Sequence, residues 1–140
     1  MKKRFLLLNT IIPLIIGGTS YYILSPNVLF VKAINSLLGI SNIIAHGSPQ
    51  TAIGCFVRFY LLDMLWGYSL VFALVLCLGS NAAIKIVLFI AFVFSLSVEL
   101  LQLTSFMPGV FDLMDISSEI IAELIAALII HKHFLRGGNK

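Results

Sequence analysis

Six carboxylates are the residues of this 140-residue chain best suited to chemistry, and they are its only acids: Asp63, Glu99, Asp112, Asp115, Glu119 and Glu123. Their spacing sorts them onto faces. Ser95, Glu99 and Gln102 follow at intervals of four and three, which sets a hydroxyl, a carboxylate and an amide on one side of a helix. Asp115, Glu119 and Glu123 recur every four residues on another helix, and Asp63 shares a face with Trp66 and Gly67 on a third. Like charges four apart repel by a few tenths of a kcal/mol in water and by more where water is scarce. Three arrangements relieve such a stripe: Arg58 or Lys32 pairs with it, a carboxyl keeps its proton, or a hard divalent cation binds between oxygens. The last two belong to catalytic or transport sites, where a protonated carboxyl serves as general acid and an ionised neighbour, or a metal ion, takes the other role. Glu99, Asp112, Asp115 and Glu119 are the catalytic candidates, and Arg58, Asp63 and Gln102 complete the candidate binding set.

The other reactive residue types offer less. His46 stands in a polar loop without a partner at metal-ligand spacing, and His131 and His133 lie in a basic tail, so all three read as solvated. Cys55 and Cys77 lack CxxC spacing and read as small apolar fillers. Ser41, Ser48 and Ser105 have no nucleophile motif around them. Asp63 and Asp112 make a poor aspartyl protease pair, because Asp112 falls in a loop. The acids also have plain structural uses. Asp112 and Asp115 both suit the capping of the fourth helix, and Asp115, ahead of Ile116-Ser117-Ser118, reads well as its N-cap. Intramembrane polar groups join helices through hydrogen bonds worth about 1 kcal/mol each.

The elements that must position these groups follow from composition. The chain is 60% hydrophobic and 11% charged, with a mean hydropathy of +1.08. A soluble domain carries about a quarter charged residues. About 20 apolar residues cross a bilayer as a helix, and four such blocks occur, at residues 5–24, 59–78, 82–103 and 116–135. The first follows Met1-Lys2-Lys3-Arg4 and reads as a retained signal anchor, since it is long and no Ala-x-Ala site follows. Pro13 and Gly17-Gly18 mark a kink or close packing within it. Gly79-Ser80-Asn81 turns the second block into the third. In the connection 25–58, residues 28–40 set Lys32, Asn35, Ser36 and Gly39 on one stripe and predict a helix in the membrane interface.

Seven of the nine cations lie at the N-terminus, the Lys85 hairpin and the C-terminal tail, which predicts both termini on the cytoplasmic side. All six carboxylates then fall in the outer half or the outer loop, and Cys55 and Cys77 lie too far apart in depth for a disulfide. The expected fold class is an all-α integral membrane protein in the cell membrane, one domain over 1–140, with four spans and one interfacial helix. No basic stripe with interleaved aromatics is present, which excludes nucleic acid as a partner.

Ser97-Val98-Glu99-Leu100-Leu101-Gln102, followed by Pro108-Gly109-Val110-Phe111-Asp112-Leu113-Met114-Asp115, resembles the pattern of the VanZ-like family of small bacterial membrane proteins. That family shows a Glu-x-x-Gln pair ending one helix and two acids three apart opening the next. The segment from Arg58 to Trp66 is similar to one in short relatives, and the resemblance is concentrated in residues 58–123. Glu119 and Ala122 stand where the family has Asn and Gly. The resemblance implies envelope biology, since the family is named for a member associated with resistance to teicoplanin-type glycopeptides.

Three functions are compatible with these features. The favoured one is a small envelope protein whose outward-facing acidic site binds a glycolipid headgroup, a sugar or a glycopeptide. A second is a hydrolase or transferase on a lipid-linked substrate, with a divalent cation as its cofactor. A third is a subunit of a homo- or hetero-oligomer whose carboxylates only join helices.

Overall fold

The computed structural model describes residues 2–24, 29–39, 51–79, 82–104 and 111–136, and all regular structure among them is helical. The elements are α1 (Lys2–Leu24), α2 (Leu29–Leu38), α3 (Ala52–Phe56), a π-helical turn (Val57–Leu61), α4 (Leu62–Leu78), α5 (Ile84–Gln102) and α6 (Leu113–Arg136). The π turn joins α3 and α4 without a break. This rod begins seven residues before the expected Phe59, because Thr51 caps it: its backbone is extended and its Oγ1 accepts from the Gly54 N–H at 3.1 Å. Arg58, expected in the flanking loop, therefore lies inside the rod. At the other end Gly79 takes φ +92°, a conformation that suits glycine, and opens the turn towards α5.

Among the described residues three helical stretches are long and apolar enough to cross a membrane: Lys3–Ile23, Ile53–Leu78 and Ile84–Gln102. They make this a membrane protein. The 24 residues of α6 would span about 36 Å, but Asp115, Glu119 and Glu123 interrupt its apolar character and it does not meet the same criterion.

Contacts fix how the rods run. Phe5 of α1 packs edge-on against Phe72, Asn9 accepts from Tyr68 Oη at 2.7 Å, and Gly17 lies beside Leu65, so α1 and α4 are antiparallel. Gly67 of α4 sits against Glu119, while Val71 and Val75 share a core with Ala126 and Ile130, so α4 and α6 run parallel. Helix α5 returns antiparallel to both and packs against each of them. That core, Leu6, Val71, Phe72, Val75, Val87, Ala91, Ala126 and Ile130, draws on α1, α4, α5 and α6 alike. It fills the end of the bundle where α1 begins and α6 finishes.

The surface is as apolar as the core. Helix α5 buries only Val87, Ala91, Ser95 and Glu99, one stripe at intervals of four, and exposes Ile86, Phe89, Phe92, Val93 and Phe94. Polar side chains on such faces turn back on their own helix: Thr10, Thr19, Ser97 and Ser117 each donate to the carbonyl four residues earlier.

Several expectations change here. In α2, Asn35 leaves the polar stripe to accept from Tyr22 Oη of α1 at 3.0 Å, while Lys32 and Ser36 stay exposed. The face expected to join Asp63, Trp66 and Gly67 divides, with Trp66 exposed and Gly67 buried against α6. Cys77 is an exposed residue of α4 rather than a filler, and Cys55 is half-buried in α3. His133 is not simply solvated: its ring stacks on Phe5 at 4.0 Å with an interplanar angle of 11°. Ser41, His46, Ser48 and Ser105 lie outside the described residues.

Candidate acidic site

Depth along the rods brings the acids together. Asp63 stands fifteen residues above the end of α4 at Leu78, Glu99 fifteen above the start of α5 at Ile84, and Glu119 fourteen above His133. At 1.5 Å per residue all three lie about 21–23 Å from the same end of the bundle. Their charges act on one another: Asp63 is within electrostatic reach of Asp115, Glu119 and Glu99, and Tyr21 of α1 is within reach of Asp63, Asp115 and Glu119. Four helices thus converge on one acidic level.

The carboxylates at this level have different local roles. Glu123 is only 2% exposed and its Oε1 accepts from Ser95 Oγ at 3.0 Å, a buried link between α6 and α5. Glu99 is 5% exposed, and its Oε2 accepts from the backbone N–H of Asp112 at 3.3 Å, which ties the C-terminal end of α5 to the start of α6. Asp112 is the N-cap of α6: its Oδ1 accepts from the Met114 N–H at 2.9 Å, and its carbonyl accepts from the N–H groups of Asp115 and Ile116. Of the two aspartates suited to the cap, the earlier one, Asp112, therefore takes it rather than Asp115. Asp115 occupies the first turn, outside the apolar stretch of α6. Its pKa is raised to about 6, first by burial and then by the charges of Asp112 and Glu99.

Glu119 is the exception among the buried acids. It is 7% exposed, and its Oε2 is buried with no hydrogen-bond partner. The Ser95 hydroxyl that donates to Glu123 also stands close enough to bear on Glu119, but one hydroxyl proton cannot serve both. Gly67 makes this arrangement fit, because a Cβ there would meet the Glu119 carbonyl oxygen at 3.1 Å and its Cα at 3.3 Å.

Neither expected cation relieves these charges. Among the described residues no ion pair engages any of the six acids; Arg58 lies over the neighbouring Phe59 ring at 5.6 Å, and Lys32 is exposed on α2. Gln102 is half-buried at the C-terminal end of α5. Among the described residues no three His, Cys, Asp or Glu side chains come close enough together to hold a metal ion. The acids share a level without forming a compact coordination cage.

Sequence spacing identified the acids, but not the Ser95–Glu123 bond nor the Gly67 contact, which depend on how the helices are rotated against one another. No family model, no curated protein and no solved structure matches this chain.

Proposed function

We propose that this protein is a four-span, VanZ-like protein of the bacterial cell envelope, with both termini cytoplasmic and an outward-facing acidic site that binds a polar ligand. The fourth span is the stretch 116–135 of α6. Its charges turn inward, with Glu119 and Glu123 buried, while Ile121, Leu124, Ile125 and Leu128 are exposed. That inside-out pattern suits a helix facing lipid, where ionisable groups point into the bundle. A share in the core made with α1, α4 and α5 supports the same depth for α6.

The observation that carries the binding role is the unpartnered Glu119 Oε2. A buried acceptor without a donor costs about 1–3 kcal/mol, and more when charged. Glu99, Glu123 and Asp112 have helix-joining or capping bonds, which leave Glu119, Asp63 and Asp115 as the groups free to receive a ligand. The VanZ-like motif residues Glu99, Gln102, Asp112 and Asp115 border these groups and suggest a headgroup, sugar or glycopeptide ligand.

Expression in a susceptible Gram-positive host, with glycopeptide tolerance as the readout, tests this reading. Wild type should raise tolerance, and Glu119→Gln should remove the gain at unchanged membrane abundance. Glu119→Gln as active as wild type would overturn the site. No gain from well-expressed wild type would overturn the glycopeptide role.

A further inference from the structure

We propose that the acidic site takes a primary ammonium group, borne by a free amine or by a lipid headgroup. The inference rests on the reading of Glu119 as part of a ligand site and names the chemistry of what enters it.

Charge comes first. Only two cations, Lys32 and Arg58, belong to the acidic end of the bundle, and neither forms an ion pair among the described residues. The other seven open α1, open α5 or follow the end of the core: Lys2, Lys3, Arg4, Lys85, Lys132, Arg136 and Lys140. Among the described residues no counter-charge is therefore paired with Glu119, Asp63 or Asp115, and the complementary ligand is cationic.

Hydrogen bonding narrows the class. Glu119 Oε2 is buried without a donor, and among the described residues the side chains of Asp63 and Asp115 accept no hydrogen bond. Two helices thus present unused acceptors to one region, which calls for a ligand carrying several N–H groups. A divalent metal needs oxygens gathered at about 2.0–2.6 Å, and no such group of three exists among the described residues. An ammonium reaches its carboxylates at about 2.7–2.9 Å and accepts a looser, one-sided set.

The surroundings agree. Tyr21, half-buried on α1, is in reach of the charges of Asp63, Asp115 and Glu119, so an aromatic residue of a third helix belongs to the same level. The α4–α6 backbones approach closely at Gly67. A trimethylated nitrogen has no N–H to offer Oε2 and would leave it unsatisfied.

Thermal unfolding of the full-length protein in detergent tests the inference, with ethanolamine, tetramethylammonium and potassium chlorides compared at equal ionic strength. Ethanolamine at ten times its Kd should raise Tm by roughly 3–6 °C, with no rise from the other two. A second arm compares nanodiscs of phosphatidylcholine with and without phosphatidylethanolamine. A rise in the free-amine arm alone identifies a soluble source, and a rise in the lipid arm supports a headgroup. Glu119→Gln should abolish the rise; if its own Tm falls sharply, Asp63→Asn, which removes no hydrogen bond, serves instead. Equal protection by tetramethylammonium, no protection in either arm, or a full rise in both variants would overturn the ammonium. Loss of tolerance in Glu119→Gln without any ammonium effect would overturn the ligand class and leave the site standing, whereas a fully active Glu119→Gln would remove both.

Discussion

Adding one methyl group at Gly67 should loosen the bundle at the level of the acids. The Cβ of Gly67→Ala would lie 3.1 Å from the Glu119 carbonyl oxygen, 3.3 Å from its Cα and 3.4 Å from its Cβ. The first two are backbone atoms, so no rotamer change relieves them and α6 itself must shift by a few tenths of an ångström. One turn further along, helix α6 is tied to α5 by the Ser95–Glu123 bond, which resists the shift. Overpacking costs about 1–3 kcal/mol, and the better helix propensity of alanine returns about 1 kcal/mol. The net loss expected for Gly67→Ala is therefore about 0–2 kcal/mol, against a gain of up to about 1 kcal/mol at an uncrowded glycine, and Gly67→Val should lose more. Gly18 supplies the control, since a Cβ there meets nothing within 4 Å and Gly18→Ala should be neutral or stabilising. Thermal unfolding of the three variants in one detergent gives the comparison. Gly67→Ala matching Gly18→Ala would show that the α4–α6 contact is not close, and the argument from backbone approach would fail.

Other perturbations follow from single bonds. Ser95→Ala leaves Glu123 Oε1 buried without its donor and should cost about 1–3 kcal/mol, measured by unfolding; a neutral result would mean Glu123 finds another partner. Asp112→Ala removes the α6 cap and should cost about 0.5–2 kcal/mol, more than Asp115→Ala, and the reverse order would restore the cap to Asp115. Because the folded-state pKa of Asp115 is raised from 3.8 to about 6, its contribution to stability is present below pH 4 and is lost as pH rises through 6. Tm measured from pH 7 down to pH 5 should therefore rise less in Asp115→Asn than in wild type, and identical slopes would contradict this. For topology, alkaline phosphatase fused after Thr104 should be active and the same enzyme fused after Arg136 inactive; equal activities would mean that α6 does not cross.

Apolar runs made α1, α4 and α5 legible, because length and composition alone decide whether a helix can enter lipid. The start of α3 was also available in principle: Thr51, after Ser48-Pro49-Gln50, is a capping residue ahead of apolar Ala52-Ile53. Asp112 and Asp115 are equally good caps by type, and only the position of the Glu99 carboxylate, which receives the Asp112 N–H, favours the earlier one. Sequence spacing put Glu119 and Glu123 on one face of α6, but Ser95 can donate to only one of them, and which one depends on the register between α5 and α6. Interhelical register also decides that Gly67 meets Glu119 while Trp66 turns outward. None of those facts has a local signal.

The depth of Glu119 has an electrical consequence. In the proposed orientation it lies about 21 Å above the cytoplasmic end of a hydrocarbon layer about 30 Å thick. A monovalent cation reaching it from outside crosses roughly 0.3 of the membrane potential. With about 2.3 kcal/mol per charge for each 100 mV, an inside-negative cell adds about 0.7 kcal/mol, close to threefold in affinity. Occupancy would then report the energy state of the membrane. Proteoliposomes titrated with ethanolamine with and without an imposed diffusion potential should differ by that factor, and equal affinities would mean that the field does not reach the site.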